Sequence, residues 1–456
     1  MPGSEKDRKM AFAVAQLVRS QGGHTYYVGG FVRDALLGQE NKDVDIEVHG
    51  ITPGCLEEIL DTLGQRISVG ESFGIFHLKG HSLDIAMPRK EAARGQGHKD
   101  FDVFVDPFIG TRGAALRRDF TINALMQDVL TGEIVDHFGG REDLQAGILR
   151  HVSSESFAED PLRVLRAAQF AARFEFRVAE ETVELCRGMA LQHLPGERIG
   201  GELKKALLKA ARPSVFFEVL RQMDQLDVWF PELKALIGVP QNPVYHAEGD
   251  VWNHTMMVLD EAAKLRSRAS DPYWFMLSAL VHDFGKAVCT GETNGVLHAY
   301  AHEELGLPLA EAFLRRITSE SKLIDYVLNL TELHMKPNTV AGARSAEKVT
   351  NRMFDRAVDP EGLICIALAD DRGRVTSRPS EDSEAFLYAR LEIFREVMAR
   401  PYVMGRDLIG AGFRPDKDFT EILNYAHKLR LAGVPKESAL RQVLAHARKL
   451  RGIKAE

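Results

Sequence analysis

Asp43 and Asp45 stand two residues apart, just downstream of the stretch Tyr26-Tyr27-Val28-Gly29-Gly30-Phe31-Val32-Arg33-Asp34-Ala35-Leu36-Leu37-Gly38. In a strand, that spacing projects both carboxylates from one face. Two like charges so placed repel each other unless a cation lies between them. Hard oxygen ligands of this kind suit Mg²⁺, which takes one or two carboxylates together with substrate phosphates. A bare D-x-D is more often a solvated strand edge. The upstream residues change the weighing, because Gly29 and Gly30 allow close backbone approach and Arg33 is a forked donor for phosphate. Together they describe a holder for a metal-bound triphosphate.

Further along, Arg117-Arg118-Asp119-Phe120-Thr121-Ile122-Asn123-Ala124 sets Asp119 and Asn123 at i, i+4, able to hydrogen-bond sugar hydroxyls, with Arg118 for phosphate. In Glu159-Asp160-Pro161-Leu162-Arg163-Val164-Leu165-Arg166, Asp160 reads as a helix N-cap with an i, i+3 bridge to Arg163. His254, the pair His282-Asp283, His302, His334 and Asp370 are spread through the second half. A lone His-Asp pair defaults to a cap or a core histidine.

These residues need elements to position them. Tyr26 to Val28 reads as a strand and Phe31 to Leu37 as a helix stopped at Gly38; the aspartates then fall in a second strand. Residues 10 to 20 predict an amphipathic helix with Phe12, Val14, Leu17 and Val18 inward. Gly54 to Leu63 predicts another helix, Val69-Gly70 a turn, Phe73 to Leu78 a strand, and Ser82 to Met87 a strand with Asp84 at its centre. The glycines and charges of 88 to 112 predict a mobile loop near the site. From about residue 213 the periodicity is helical.

Composition narrows the classes. A chain of 456 residues affords two to four domains, and 45% hydrophobic with 27% charged residues is ordinary for a globular protein. The net charge of −7 means that a nucleic-acid partner must meet a local basic surface. Cys55, Cys186, Cys289 and Cys365 form no C-x-x-C, so neither a disulfide framework nor a zinc knuckle is expected and a reducing cytoplasm fits. Met1 to Lys9 lacks the apolar region of a signal peptide, and no apolar run approaches membrane-spanning length.

Gly-Gly-x-Val-Arg-Asp-x-Leu-Leu-Gly followed by Asp-x-Asp resembles motif A of the class II tRNA nucleotidyltransferase and poly(A) polymerase family, of the DNA polymerase β superfamily. The Arg117 to Ala124 octet is similar to its motif B, although Ala115 stands where relatives often carry an acid. Asp136 to Leu144 resembles the flexible motif C. Glu159-Asp160-x-x-Arg163 resembles the base-reading motif D, and Gly196 to Lys205 resembles motif E, with Arg198 and Glu202 bracing the templating helix. The resemblance implies that Asp43 and Asp45 bind Mg²⁺ with Asp84 as a third acid. Gly29, Gly30, Arg33, Arg118, Asp119, Asn123, Asp160, Arg163 and Arg166 would then bind the nucleotide, Asp160 and Arg163 pairing with the edges of adenine and cytosine.

The ordered set His254, His282-Asp283 and Asp370 resembles the HD phosphohydrolase domain, with Asp370 preferred to Asp371 because Arg-Gly-Arg follows. Such ligands suit Mg²⁺ or a transition metal that activates water against a phosphoester, with His302 and His334 on the phosphate side. The end of the chain resembles the tail of HD-bearing members. Lys428, Arg430, Lys436, Arg441, Arg448, Lys449, Arg451 and Lys454 there could form a phosphate-binding strip.

The implied fold is α+β. A mixed-sheet nucleotidyltransferase head at 1–150 precedes an all-α remainder: a base-recognising neck at 151–235, an HD domain at 236–380 and a tRNA-contacting tail at 381–456. The implied function is CCA addition to tRNA from CTP and ATP in the cytoplasm, with an HD activity of 2′,3′-cyclic phosphodiesterase or phosphatase type. The rival expectations are a poly(A) polymerase, an enzyme adding only CC or only A, an HD phosphohydrolase with a nucleotide-sensing head, and a non-catalytic RNA-binding module.

Overall fold

The computed structural model describes residues 5–41, 43–68, 75–93, 101–376 and 383–451, with the side chains of 90–93 and 101–103 left aside. The chain divides into two compact units, Met1–Trp229 and Phe230–Glu456.

The first unit is organised around Val44–His49 (β2), whose residues are buried except at Asp45. Val44, Ile46 and Val48 fill one face with β-branched side chains, while Asp45, Glu47 and His49 share the other. His24–Val28 (β1) pairs with it antiparallel, and Leu83–Ala86 (β5) pairs with it parallel, setting Asp45 opposite Asp84. Arg66–Ser68 (β3), Ile75–Leu78 (β4), Met126–Asp128 (β8) and Ile134–Val135 (β9) complete a seven-stranded mixed sheet in the order β3-β4-β5-β2-β1-β8-β9. Gly30–Leu36 is the helix that follows β1, and Leu162–Phe174, Gly196–Lys209 and Ser214–Gln222 are the long helices after the sheet.

Several sequence expectations change in detail. Asp43 precedes the strand rather than lying in it. The first helix spans Glu5–Ser20 and buries Ala11, Val14, Ala15 and Val18, so Phe12, about a quarter turn away, is 44% exposed and Leu17 only partly covered. Motif B is not helical: a helix ends at Leu116 and only Thr121–Asn123 forms a 3₁₀ turn. The cause is local, since Asp119 accepts from its neighbour's Phe120 N–H at 2.8 Å and competes with a helical ladder. Within 88 to 112, Arg89–Ala93 (β6) and Phe101–Val105 (β7) pair antiparallel instead of forming an open loop, and Gly110 begins a helix. The glycine-rich centre of that segment lies outside the described residues, as do Val69-Gly70 and Phe73-Gly74.

The second unit is helical apart from the small hairpin Gly291–Thr293 and Val296–His298. Asp250, Asp271 and Asp359 sit at extended N-cap positions and accept from backbone N–H groups of the helices Val251–Leu265, Pro272–Val281 and Pro360–Arg372. Together with Leu307–Ile317 and Ser321–Leu333 these helices bury large apolar side chains, among them Trp252, Phe275 and Phe313. At the end of the chain, Phe419–Leu431 and Lys436–Leu450 close a core of their own around Leu408, Ile422 and Val443. The described helices include none long and apolar enough to cross a membrane.

Candidate active sites

A cleft of about 620 Å³ in the first unit gathers Gly29, Gly30, Arg33, Asp43, Asp45, Arg118, Asp119, Asn123, Asp160, Arg163 and Arg166. Gly29 has φ +63°, and a Cβ there would stand 3.3 Å from Arg118 Nη1, so only glycine leaves this wall open. Asp45 is pushed up to about 6, first by burial and then by the neighbouring charge of Asp84, with Asp43 adding to it. Carboxylates that oppose one another's ionisation are hard oxygen donors in want of a cation, so this set fits Mg²⁺. Asp84 is half exposed, with His77 Nδ1 at 3.1 Å.

The other residues hold one another. Arg33 donates from Nε to Asp34 at 2.7 Å and from Nη1 to Asn123 Oδ1 at 2.6 Å, with its guanidinium over Phe174. Asn123 donates to Asp119 Oδ1 at 2.9 Å, and Arg166 grips Asp119 Oδ2 with two donors at 2.8 and 2.6 Å. Burial works against the Asp119 carboxylate, yet Arg166 keeps it below the usual range.

Asp160 and Arg163 line the same cleft but do not bridge. Asp160 is gripped by Arg198, at 3.0 Å, and accepts from Leu162 N–H at 3.1 Å. Arg163 donates to the carbonyls of Ser156 at 2.6 Å and Arg117 at 2.9 Å.

Sequence reasoning passed over Glu47, Arg173, Lys205 and Lys209. Glu47 is fully buried and takes His49 at 3.0 Å, Arg117 at 3.1 Å and Arg118 at 3.4 Å; although burial opposes it, His49, Arg118 and Arg117 bring it down to about 2. Its signal was present in the alternation 43, 45, 47. Lys205 and Lys209 lie four apart on one helix and so share a face. With them the cleft carries nine Lys and Arg side chains against four Asp. The molecule, acidic as a whole, thus has a local cationic surface where an anionic substrate would need it.

In the second unit, His254, His282, Asp283, His302, His334 and Asp370 converge, all buried. His254 Nε2 lies 3.0 Å from Asp370 Oδ1 and 3.6 Å from Asp283 Oδ2. His302 Nε2 lies 3.2 Å from Asp283 Oδ1 and 3.3 Å from His334 Nε2. Asp370, not Asp371, is the carboxylate that meets His254, and Arg374 pairs with its other oxygen.

The ring orientations follow from backbone contacts. His282, His302 and His334 each direct Nδ1 at the carbonyl three residues back, of Ala279 at 2.8 Å, Ala299 at 2.9 Å and Thr331 at 2.7 Å. A carbonyl only accepts, so Nδ1 carries the proton and a neutral ring turns a lone pair inward from Nε2. His282 Nε2 makes no hydrogen bond among the described residues. Inward lone pairs beside two carboxylates fit a divalent metal. Burial opposes the charge on Asp283, yet its carboxyl stays well below the usual range beside Lys286 at 2.7 Å, whereas burial pushes His334 down to about 3. Gly285 makes the crossing possible, because a Cβ there would stand 2.0 Å from the His302 carbonyl oxygen.

The basic strip in the tail is shorter than expected. Arg430 donates to the Met398 carbonyl and lies over Tyr402, Lys436 pairs with Asp407 at 2.9 Å, and Arg451 pairs with Asp416 at 2.6 Å. Lys428, Arg441, Arg448 and Lys449 are exposed, and Lys454 lies outside the described residues.

Comparison with known proteins agrees with this layout. Residues 25–150 match the poly A polymerase head domain, 175–237 a probable RNA and SrmB-binding site of polymerase A, and 251–373 the HD domain. A multifunctional CCA protein of Shewanella denitrificans is 36% identical over 423 residues, covering 90% of this chain and 96% of its own. The Thermotoga maritima CCA-adding enzyme complexed with tRNA has the same fold at 22% identity, with a TM-score of 0.66 over 97% of this chain and 96% of that one. A CCA-adding enzyme solved with ATP superposes at 21% identity with a TM-score of 0.68, covering 99% of this chain and 96% of its own. Fold and site therefore define an enzyme with a nucleotidyltransferase head and an HD domain. The chain belongs to the multifunctional CCA protein family, whose transferase is of the CCA-adding type.

Proposed function

We propose that this chain adds CMP, CMP and AMP to the 3′ end of tRNA in the cytoplasm, taking CTP and ATP and releasing pyrophosphate. The observation that carries the reading is the cleft in which Asp43 and Asp45 face nine cationic side chains. Asp43 and Asp45 would hold Mg²⁺, with Asp84 on the adjoining strand. The metal supplies a lowered pKa for the 3′-hydroxyl and neutralisation of the leaving pyrophosphate. The open wall at Gly29 and Gly30 admits the triphosphate, and Arg118 lies beside it to receive charge. Arg33, Asn123, Asp119 and Arg166 form one hydrogen-bonded chain, so the ribose meets a preorganised wall. Asp160 reads the base with Arg163, and Arg198 fixes the Asp160 carboxylate in position.

In the second unit, His254, His282, Asp283 and Asp370 would hold a divalent metal, with His302 and His334 toward the phosphate. Bound there, the ion supplies an activated water for hydrolysis of a 2′,3′-cyclic phosphate or a phosphomonoester. Residues 1–150 and 151–235 serve transfer, 236–380 serves hydrolysis, and the exposed basic residues of 381–456 serve tRNA contact.

The test is incubation with labelled CTP and ATP and tRNA lacking its CCA end. Growth by three nucleotides is expected. Growth by CC alone, by A alone, or into a long A tail would each replace this reading.

A further inference from the structure

Three of the four histidines in the buried cluster orient their rings with backbone carbonyls; His254 does not. The carbonyl three residues before it, Val251 O, is taken by the Thr255 hydroxyl at 2.8 Å. His254 Nδ1 instead meets Glu248 Oε1 at 3.0 Å, and the same oxygen meets His246 Nδ1 at 2.8 Å. An ionised carboxylate only accepts, so both Nδ1 nitrogens carry protons and Nε2 is the nitrogen that His254 presents to the centre. There it faces Asp370 Oδ1 at 3.0 Å, a hydrogen bond while the ring is protonated and a pair of ligands for a divalent metal that displaces that proton.

Glu248 makes a second connection. Its Oε2 accepts from Val375 N–H at 2.9 Å, and Ala247 N–H donates to the Val375 carbonyl at 2.8 Å. Val375 follows the helix Pro360–Arg372 that carries Asp370. One side chain thus joins the ligand on the Val251–Leu265 helix to the chain just past the ligand on another. The carboxylate is 2% exposed, so water does not weaken these bonds.

We propose that Glu248 is a positioning residue of the hydrolytic centre, one that fixes the tautomer of His254, raises its strength as a donor to the metal, and sets its distance from Asp370. The proposal rests on reading the cluster as a divalent-metal site. A carboxylate behind an imidazole does more than a carbonyl, because its charge makes the inward nitrogen more basic.

The experiment titrates Mn²⁺ and Ni²⁺ into the full-length protein and into the variants Glu248→Gln and Glu248→Ala by calorimetry. CCA addition and the thermal midpoint serve as folding controls. Glu248→Ala should bind the same number of ions with 10–100-fold weaker affinity. Glu248→Gln, which keeps an acceptor but no charge, should fall between it and the wild type. In ¹⁵N spectra the His254 Nδ1–H form should predominate in wild type and mix with the Nε2–H form in Glu248→Ala. Unchanged affinity in both variants overturns the proposal and leaves Glu248 a loop anchor. Loss of one equivalent of metal overturns it differently, making Glu248 a ligand. Wild-type protein that binds neither ion overturns the metal-site reading itself, and this inference with it.

Discussion

The two centres hold their acids in opposite ways. In the first unit Asp43 is exposed and Asp45 only partly covered at the edge of a wide cleft, and the polar groups around them are mostly arginines. In the second unit Asp283 and Asp370 are almost wholly buried, and the groups around them are imidazoles whose outer nitrogens are already occupied. On the function proposed above, the difference follows from what each must accept. A tRNA end with a nucleoside triphosphate is large and brings its own negative charge, so the cleft needs room and cations. A metal-activated water acting on one phosphoester needs a small, dry, geometrically fixed centre. Rigidity is placed accordingly, in arginine–carboxylate pairs along an open wall and in backbone-anchored rings inside a helical core.

The largest expected effect would break this comparison outright if it failed. Asp43→Ala or Asp45→Ala should reduce nucleotide addition to background, while tRNA binding stays nearly intact because phosphate contacts dominate affinity. Hydrolysis of a 2′,3′-cyclic nucleotide should be unaffected. Filter binding with radiolabelled tRNA, run beside both activity assays, separates these outcomes. Addition at the wild-type rate by either variant would remove these acids from the mechanism.

The mirror experiment changes the buried cluster. His282→Ala combined with Asp283→Ala should abolish hydrolysis in added transition metal and leave CCA addition close to wild type. Asp283 lies between His282, His302 and Lys286, so the double variant removes the partner that all three share. A folded double variant that loses both activities together would show the two centres to be one.

How far these centres could be seen in the sequence differs as well. The acids proposed for transfer lie within one short strand-turn-helix-strand passage, so local spacing carried them into view. The cation wall was less visible, since Lys205, Lys209 and Arg173 sit far along the chain and look like ordinary solvated helix residues. Asp160 shows the limit most clearly. Three-residue spacing suggests Arg163 as its partner, but the fold supplies Arg198 from another helix, 38 residues on, and sends Arg163 to carbonyl groups. In the second unit, residue types picked out, across more than a hundred positions, the side chains that the fold brings together. What orients them was hidden, because a ring bonded to a backbone carbonyl or to a loop carboxylate leaves no mark in composition. Phe12 failed for a simpler reason: the true apolar stripe runs through alanines, which periodicity weighs lightly.

A smaller effect concerns selectivity within the cleft. Adenine and cytosine each present an amino donor beside a ring-nitrogen acceptor, whereas guanine and uracil present a carbonyl beside an N–H. Mismatched groups in a closed pocket cost about 1–3 kcal/mol each, enough for strong discrimination. Asp160→Ala should therefore admit UTP or GTP in single-nucleotide addition assays, with less loss of rate than Asp45→Ala. Arg198→Ala, which frees Asp160 without removing it, should relax selection less. Strict choice of CTP and ATP by Asp160→Ala would reduce Asp160 to a helix cap.

The smallest effect on activity, and the sharpest probe of where rigidity lies, is expected at Asp359. Its Oδ2 accepts from Ser270 N–H and Ser270 Oγ–H, both at 2.8 Å, and from Tyr326 O–H at 2.7 Å, while Oδ1 accepts from Gly362 N–H at 2.9 Å. It thereby joins three helices that also carry, or lead into, cluster residues: Pro272–Val281, Ser321–Leu333 and Pro360–Arg372. In Asp359→Asn an amide N–H₂ must face one set of these donors, which should destabilise the second unit by about 1–3 kcal/mol. Burial acts to raise this carboxyl, but the hydrogen bonds outweigh it and hold it below its ordinary value. A group depressed by folding contributes stability above its unfolded pKa and loses it as pH falls through the folded one. The wild type should therefore exceed Asp359→Asn most clearly near neutrality, and the gap in urea-unfolding free energy should close as the solution is acidified below the ordinary carboxylate range. CCA addition, whose acids lie in the other unit, should not change. A gap that stays constant with pH would mean that the contribution is packing rather than charge.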